Sequence, residues 1–487
     1  METFKSNHLY DFLIIGSGIV GTNIARELSK YHTSILVVEK ESDIVNGQTL
    51  ANSGIIHSGH DPKAGSLKAR LCVEGNALTH KLSKQLDFQL LECGGLVLAF
   101  SEEEKRDLLA LYDNAKKNGV PKLSLLSRDD VLALEPKVNQ NVVIGLSIPT
   151  TSVCSPWEMA IASMENAVIN GAHYLLNAEV VALKLVEEGY EVSLKNGGIL
   201  RAKYVINAAG FNTEKIGLML EDELEYHIRP RKGQYFTLDP KNKGSYKHVL
   251  YPMPTSLGKG VLITPQPHGE TLVGPTSEDI EDDNIEVSPD GLAKIVSDAV
   301  KISKYIQFYD NIRNFAGVRA KSNYEDFYIK ESKAYQGFYH LAGIDSPGLT
   351  AAPAIARYLV ELIKEKVELI LKNDYIVGRN YTPLFRYMSE EEKHRAIKHN
   401  PKYGHVICKC EQITEADIRA AINGVIPATT IKAVKKRTRA GAGICQGGYC
   451  ERHVLALISQ LKDKKMTDVD YYEVYTPILL EDIKEPK

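Results

Sequence analysis

The sequence predicts an α/β protein that begins with a dinucleotide-binding unit, continues into an α+β domain and ends in a small domain containing several cysteines. Three observations lead to this prediction. Residues 11–39 read as strand, glycine turn, helix and strand, residues 225–275 are rich in strand patterns, and four cysteines cluster within residues 408–450. A chain of 487 residues has room for about three domains.

The segment Asp11–Glu39 carries the clearest local signal. An apolar strand ends in Gly16, Gly18 and Gly21, and a helix then leads to a second apolar strand closed by Glu39. The first glycine allows a tight turn, the second lets backbone approach a pyrophosphate, and the third lets the helix pack closely on the strand. The helix N-terminus attracts phosphates, and Glu39 is placed to accept from a ribose hydroxyl and to repel a 2′-phosphate. A glycine turn in an ordinary α/β unit is disfavoured, because the strand, the helix, the second strand and the terminal acid all agree with a dinucleotide-binding unit.

Composition excludes several classes of protein. The chain is 44% hydrophobic and 25% charged, and its net charge of −3 gives no reason to expect nucleic acid. No apolar run approaches the roughly 20 residues of a membrane span, and the N-terminus lacks the apolar core of a signal peptide. Seven cysteines in such a chain indicate a reducing compartment. We therefore expect a cytoplasmic protein.

Hydrophobic periodicity predicts the remaining elements. Helices are expected over residues 102–117, 129–135, 156–170 and 291–305, and strands over 94–100, 174–185, 191–195, 200–206, 315–319, 327–330 and 337–342. Asn196-Gly197-Gly198 predicts a hairpin turn. The loop Gly47–Arg70, rich in small and polar residues, is a candidate wall of the site. The small residues at Asn207–Gly210 indicate close backbone approach to the cofactor, and a helix opening at Gly343–Thr350 offers N–H groups to negative charge.

Two cysteine pairs, Cys408 with Cys410 and Cys445 with Cys450, indicate a metal centre rather than disulfides. Zinc usually takes CxxC pairs, whereas CxC with the wider CxxxxC suits a larger object such as a two-iron cluster. The spacing favours [2Fe-2S] and leaves zinc or redox thiols as alternatives. The basic run Lys432–Arg439 is either a complement to an anionic cluster, a docking surface or a solvated face.

These residues resemble known families. Residues 1–371 resemble the FAD-dependent oxidoreductases of the D-amino-acid oxidase and glycerol-3-phosphate dehydrogenase superfamily, and NSGIIHSGHDPKAGSLKARLCVEG is similar to L-2-hydroxyglutarate dehydrogenases and oxidases. The motifs CKCEQIT and KKRTRAGAGICQGGYC resemble the BFD-like [2Fe-2S] domain of anaerobic glycerol-3-phosphate dehydrogenases. They are also similar to bacterioferritin-associated ferredoxin, with a wider second cysteine pair.

The resemblance implies FAD rather than NAD. The implied FAD contacts are Gly16, Gly18, Gly21, Glu39, Asn52, Ser53, Gly54, Val180, Ala209, Gly210, Gly343, Pro347, Gly348, Leu349 and Thr350, and the implied cluster ligands are Cys408, Cys410, Cys445 and Cys450. It implies a Rossmann-like FAD-binding domain (about 8–90, 153–215 and 325–371) interleaved with an α+β substrate domain (about 91–152 and 216–324). A linker (372–404), a mainly helical [2Fe-2S] domain (405–462) and a tail (463–487) follow.

The resemblance also points to catalytic residues and to one departure. Related glycerol-3-phosphate dehydrogenases carry HxGxR, but the matching string here runs from His57 to Asp61, with an acid where the phosphate-binding arginine belongs. Arg319 is the best remaining anion clamp, with Arg231 and Lys232 as secondary candidates. His57 is the favoured base for the substrate hydroxyl. His60 is the reserve candidate.

We therefore expect a dehydrogenase with FAD and a [2Fe-2S] cluster that oxidises a small anionic secondary alcohol. Glycerol 3-phosphate, giving dihydroxyacetone phosphate, is the first substrate, followed by an L-2-hydroxy acid such as 2-hydroxyglutarate and by an amine or imino acid. The expected acceptor is a separate redox subunit, such as a pyridine-nucleotide flavoprotein or a quinone-linked subunit. A relay subunit without substrate chemistry and a zinc-binding docking module are the rivals.

Overall fold

The computed structural model describes residues 8–254, 260–281, 285–473 and 475–481. The strands, in chain order, are β1 Leu9–Ile15, β2 Ile35–Val38, β3 Ile55–Ile56, β4 Leu90–Leu91, β5 Gly95–Ala99, β6 Ser124–Ser127, β7 Ile144–Ile148, β8 Ser152–Cys154, β9 His173–Leu175, β10 Val180–Val186, β11 Gly189–Leu194, β12 Ile199–Asn207, β13 Ile228–Leu238, β14 Val249–Pro252, β15 Leu262–Pro265, β16 Thr271–Gly274, β17 Glu278–Asp279, β18 Asn311–Ser322, β19 Tyr328–Glu331, β20 Phe338–Ala342, β21 Val406–Cys408 and β22 Ile413–Thr414. The α-helices are α1 Ile19–Leu28, α2 Leu67–Leu86, α3 Glu102–Lys117, α4 Arg128–Leu134, α5 Pro156–Ile169, α6 Thr213–Gly217, α7 Pro289–Ile302, α8 Gly348–Lys364, α9 Glu390–His399, α10 Glu415–Ile422, α11 Ile431–Thr438 and α12 Glu451–Lys462.

The chain divides into two compact units. Of the described residues, the first contains those within 8–38, 45–174 and 180–378, and the second those within 39–44, 175–179 and 379–481. No helix in the described part of the chain is both long and apolar enough to cross a membrane.

The first unit contains the predicted dinucleotide-binding sheet. In its eight described strands β1 lies between β12 and β2 and runs parallel to both, so that Leu13 is opposite Val205 and Leu36. All four residues of β2 are buried, as the apolar runs of a parallel sheet covered on both faces require. The predicted α/β fold is confirmed.

The hairpin predicted at Asn196-Gly197-Gly198 is also present, because β11 and β12 pair antiparallel across it. The single strand expected over residues 174–185 is instead two strands, β9 and β10. Asn177 lies between them with a φ of +53°, a left-handed conformation that asparagine tolerates and a continuous strand excludes. Hydrophobicity alone did not reveal this break.

The second large sheet has nine described strands in the order β17-β13-β16-β15-β14-β5-β7-β6, with β18 paired to β13. Strand β13 is antiparallel to both β16 and β18, as expected from residues 225–275, although β14 pairs parallel with β5 in the same sheet. Helix α7 covers one face, where Ile295 and Ala299 pack with Phe236 and Val273. The opposite face is therefore available to line a site.

The second unit is mainly helical. Helices α10, α11 and α12 surround a core that includes Ile418, Val434 and Ile458. Helix α9 lies within the stretch for which the sequence predicted a linker, and Ser389 caps it with a complete capping box. Its ten residues are all at least partly exposed, which explains why the hydrophobic pattern did not reveal a helix.

A buried ion pair holds the short segment 39–44 inside the second unit. Asp43 accepts bidentate hydrogen bonds from Arg437, at 2.8 and 2.9 Å, and lies 2.7 Å from Nζ of Lys436. Burial alone would raise the pKa of Asp43, but Arg437 and Lys436 outweigh burial and lower that pKa to about 2. The pair therefore stabilises the fold above the unfolded pKa near 4 and loses its contribution as the pH falls toward 2.

Replacing Asp43 with asparagine is expected to destabilise the second unit by about 3–5 kcal/mol at neutral pH, because two buried cations lose their counter-charge. Hydrogen exchange of the α11 amides in the full-length protein measures this loss. Asp468→Asn, at an exposed carboxylate without an ion pair among the described residues, is the matched control. Equal protection of α11 in both variants would show that the pair contributes nothing to stability.

Candidate active site and cysteine centre

The glycine turn after β1 has the geometry that a dinucleotide requires. Gly16 has a φ of +103°, and a Cβ added there would lie 2.6 Å from the carbonyl oxygen of Ala208. A Cβ on Gly21 would lie 2.0 Å from the carbonyl oxygen of Gly16. The turn, the Asn207–Gly210 segment and helix α1 are thus in close backbone contact.

Helix α1 presents an N-terminus suited to phosphate. The N-cap residue is Gly18, which has no side chain to occupy the first N–H groups of the helix. The first turn of the helix contains no acidic residue. Thr49 Oγ1 accepts from the N–H of Ile19 at 2.9 Å and so joins the following loop to the helix end. These groups fit the pyrophosphate of FAD, because free N–H groups and the helix dipole both favour an anion there.

The loop that follows is held by its own hydrogen bonds. Asn52 Oδ1 accepts from the N–H of Gly54 at 2.8 Å, and its amide nitrogen donates to the carbonyl of Thr49 at 3.0 Å. Gln266, just after β15, donates to the carbonyl of Ser53 at 3.2 Å. The implied FAD contacts Asn52, Ser53 and Gly54 therefore belong to one ordered segment.

Thr350 joins this segment to the start of helix α8. Its hydroxyl oxygen accepts from the N–H of His57 at 2.8 Å, so the structure brings the predicted base next to the predicted flavin-contacting helix end. The first turn of α8 carries no acid and Pro347 provides no side-chain cap. Of the remaining implied FAD contacts, Val180 begins β10 and Glu39 follows β2 directly, with its own carboxylate accepting from the N–H of Glu41.

His57 lies in a buried polar group that sequence reasoning did not identify. Its Nδ1 is 3.4 Å from the hydroxyl of Tyr251, and its side chain is only 8% exposed. Burial raises the pKa of Tyr251 well above its usual value, so this phenol stays protonated. A hydroxyl at Thr151 also hydrogen-bonds Tyr251. The ring of His60 lies edge-on to Tyr251 with centroids 5.4 Å apart.

Asp61, which stands where an arginine was expected, is close enough to Tyr251 to raise its pKa further. The acid therefore lies near the His57 group, and this end of the site repels a phosphate.

The register of β13 and β18 separates the cationic candidates. Arg319 is opposite Arg231, whereas Lys232 is opposite Val318. Because side chains alternate between the two faces of a sheet, Arg319 and Lys232 point to opposite faces. Lys232 donates to the carbonyl of Glu286 at 3.3 Å, beside the start of α7. Lys232, a secondary candidate for the anion clamp, therefore lies on the other face from Arg319, and this candidate is corrected.

Arg231 shares the face of Arg319 but forms an ion pair with Asp279, with Nε 2.7 Å from one carboxylate oxygen and Nη2 3.1 Å from the other. The hydrogen bonds of Arg319 go to neutral groups. Its Nη2 donates to the carbonyl of Thr276 at 3.4 Å, and it lowers the pKa of Tyr235, although burial raises that pKa overall.

The registers across the nine-stranded sheet place Tyr251, Tyr235 and Arg319 on one face, which we call the inner face. The loop of residues 51–57 lies against it. At one end a Cβ on Gly317 would be 2.2 Å from the carbonyl oxygen of Ala51, and at the other end His57 meets Tyr251. Arg319 and His57 therefore border the same surface.

In the second unit the four clustered cysteines form two pairs. The sulfurs of Cys410 and Cys445 are 3.7 Å apart, and Cys408 is hydrogen-bonded to Cys450. Among the described residues no three Cys, His, Asp or Glu side chains converge on a single metal-sized point. Two pairs of thiolates fit the two irons of a [2Fe-2S] cluster better than one zinc ion.

Hydrogen bonds toward the sulfurs favour thiolates at two of these positions. Cys450, together with backbone N–H groups of Gly441 and Glu411, lowers the pKa of Cys408 to about 6. Burial opposes ionisation of Cys445, but N–H groups of Tyr449 and Gly447 outweigh it and lower its pKa. The basic run serves internal ion pairs, since Lys436 and Arg437 hold Asp43 and Arg439 holds Glu411.

Comparison with known proteins agrees with this geometry. Residues 11–362 match the family model described as FAD dependent oxidoreductase, and residues 406–460 match the BFD-like [2Fe-2S] binding domain. The chain is 40% identical to a glycerol 3-phosphate dehydrogenase of Caloramator mitchellensis over 95% of this chain and 96% of the relative. It is 29% identical to the human mitochondrial L-2-hydroxyglutarate dehydrogenase, over 75% of this chain and 90% of the relative.

Among solved structures, the dithionite-reduced L-α-glycerophosphate oxidase of Mycoplasma pneumoniae with FAD bound superposes with a TM-score of 0.74 at 29% identity, covering 77% of this chain and all of that one. The chain therefore belongs to the FAD-dependent oxidoreductase family and carries a BFD-like [2Fe-2S] domain after its FAD-binding part.

Proposed function

We propose that the protein oxidises sn-glycerol 3-phosphate to dihydroxyacetone phosphate and passes the electrons through its [2Fe-2S] cluster to a separate redox protein. The observation that supports this proposal is that His57, a residue able to accept a proton, and Arg319, a residue able to bind an anion, border the same inner face. The extensive likeness to a glycerol 3-phosphate dehydrogenase supports the choice of substrate.

His57 is the group that takes the hydroxyl proton of the substrate. When its Nδ1–H donates to the Tyr251 hydroxyl, Nε2 is the unprotonated nitrogen and can accept. Two hydrogen bonds fix the backbone of His57. Its N–H donates to the hydroxyl of Thr350, and its carbonyl accepts from the side-chain amide of Asn76 at 3.2 Å. The ring is therefore oriented before substrate arrives.

Arg319 holds the phosphate. A guanidinium matches phosphate with two parallel donors, and the contacts of Arg319 in the described residues are to neutral groups. Asp61 at the His57 end then helps to orient the substrate, because it repels the phosphate and leaves the hydroxyl carbon beside His57.

Gly16, Gly18, Gly21 and the implied contacts at residues 52–54 and 343–350 would hold FAD, which supplies a two-electron acceptor for the hydride on the substrate carbon. Burial of His57 and Tyr251 excludes water from the proton transfer. We propose Cys408, Cys410, Cys445 and Cys450 as the cluster ligands. Cys410 and Cys445 are exposed, and beside them Ile444 is 64% exposed, a surface that suits docking of an electron acceptor.

An L-2-hydroxy acid is the second candidate substrate. Asp61 in place of the expected arginine and the likeness to an L-2-hydroxyglutarate dehydrogenase favour it. Arg319 can bind a carboxylate as well as a phosphate, so only a comparison of substrates separates the two proposals.

Anaerobic mixing with glycerol 3-phosphate is expected to bleach the oxidised flavin band, and Arg319→Met is expected to raise the substrate concentration needed by roughly 10²–10³-fold through loss of a charge-assisted contact. Lys232→Met is the matched control, because Lys232 lies on the other face and should leave the dependence unchanged. Bleaching only by 2-hydroxyglutarate would establish the second candidate. Failure of every secondary alcohol to bleach the flavin would favour a relay subunit.

His57→Gln is expected to slow flavin reduction by roughly 10²–10⁴-fold at saturating substrate, because glutamine cannot accept the proton. Anaerobic stopped-flow absorbance measures the rate, and substrate affinity should change little. His60→Gln should keep the parental rate. A larger loss in His60→Gln than in His57→Gln would transfer the role of base to His60.

Cys410→Ser and Cys445→Ser are each expected to remove the electron paramagnetic resonance signal of the reduced cluster and to lower the iron content, while substrate still bleaches the flavin. Cys93→Ser is the control, because burial raises the pKa of Cys93 to about 11 and keeps this thiol protonated. Zinc without iron in the parent protein would instead support the docking-module rival.

A further inference from the structure

A second cationic site lies away from the inner face, in a cavity of about 190 Å³ between helices α1, α2 and α8. The charged side chains among its described lining residues are Arg26, Lys30, Lys81, Arg357 and Glu27. Four cations and one acid give this cavity a net charge of +3.

Arg26 is the central observation. Arg26 is only 5% exposed, and its Nε is buried without a hydrogen-bond partner. Within the described residues no carboxylate forms an ion pair with its guanidinium. Burying an arginine without a counter-charge costs several kcal/mol, so a fold that keeps Arg26 there leaves a strong demand for an anion.

The acid in the cavity does not meet this demand. Glu27 is already paired with Lys30, with Nζ 2.6 Å from Oε2. Burial lowers the pKa of Lys30, and repulsion from Arg26 and Arg357 lowers it further against the opposing effect of Glu27. Glu27 therefore does not neutralise the positive charges of Arg26, Lys81 and Arg357.

The size of the cavity limits the ligand. Pockets for drug-sized ligands and nucleotides have volumes of about 300–1,000 Å³, so the available space suits an inorganic phosphate, a small phosphate monoester or a dicarboxylate. Gln85 also lines the cavity, and its side-chain amide is a neutral group suited to an anionic oxygen.

We propose that this cavity is a binding site for a small multivalent anion, with Arg26 as the buried ligand and Lys81 and Arg357 as the two outer ligands. The site is separate from the proposed substrate site and does not depend on the identity of the substrate. The bound anion joins the C-terminal parts of α1 and α2 to the middle of α8, and therefore stabilises the packing of these helices.

Isothermal titration calorimetry of the full-length, cofactor-loaded Arg319→Met protein tests the proposal, because this background weakens anion binding at the inner face. Inorganic phosphate and succinate are titrated separately, and saturable binding of one equivalent of either is expected. Tighter binding of phosphate identifies phosphate or its monoesters as the ligand class, and tighter binding of succinate identifies dicarboxylates.

Lys81→Ala with Arg357→Ala is expected to weaken binding roughly 10- to 100-fold, since two charges close to the anion are lost. Both side chains are exposed, so this variant should fold. Lys84→Ala, at an exposed lysine of α2 outside the cavity, should bind like the parent, and Glu27→Gln should bind more tightly. Absence of saturable binding, or equal binding by the double variant and Lys84→Ala, would overturn the proposal.

Discussion

The proposed active site depends on the alternation of side chains across the strands of the nine-stranded sheet. Strands β13 and β18 pair in an unbroken antiparallel register from Phe236 to Ile228, so each position has one assigned face. One face is covered by α7 and is apolar there, with polar groups at its margin. The other face carries Arg319 and Tyr251. A slip of one residue in this register would exchange Arg319 with its neighbours and remove the anion-binding group from the site.

A second requirement is that the loop of residues 51–57 lies close to this face. Gly317 makes room for the carbonyl of Ala51, and the hydroxyl of Thr350 accepts from the N–H of His57. The same threonine belongs to the helix end implied in flavin binding. One ordered segment thus joins His57, the inner face and the N-terminus of α8, and this arrangement explains why small and polar residues are concentrated in the loop.

In the second unit, charged side chains form buried ion pairs that hold the fold together. The basic run on α11 has the composition of a docking surface, yet Lys436 and Arg437 form buried ion pairs with Asp43. Near the cysteines, Cys410, Cys445 and the apolar side chain of Ile444 are exposed, and so are Lys409, Tyr449 and Arg452.

The local sequence determined the dinucleotide-binding unit, the strand-rich second domain and the cysteine centre, because each depends on residues close together in the chain. Gly16 and Gly21 meet within one turn and helix, and the cysteine spacing already indicated a two-iron cluster. Resemblance then selected FAD and named His57 and Arg319. Only the tertiary structure decided that Lys232 faces away from Arg319, that Tyr251 supports His57 and that Arg26 lies buried among unneutralised cations. These facts arise from strand register and helix packing between residues far apart in sequence, and local periodicity carries no information on such pairings.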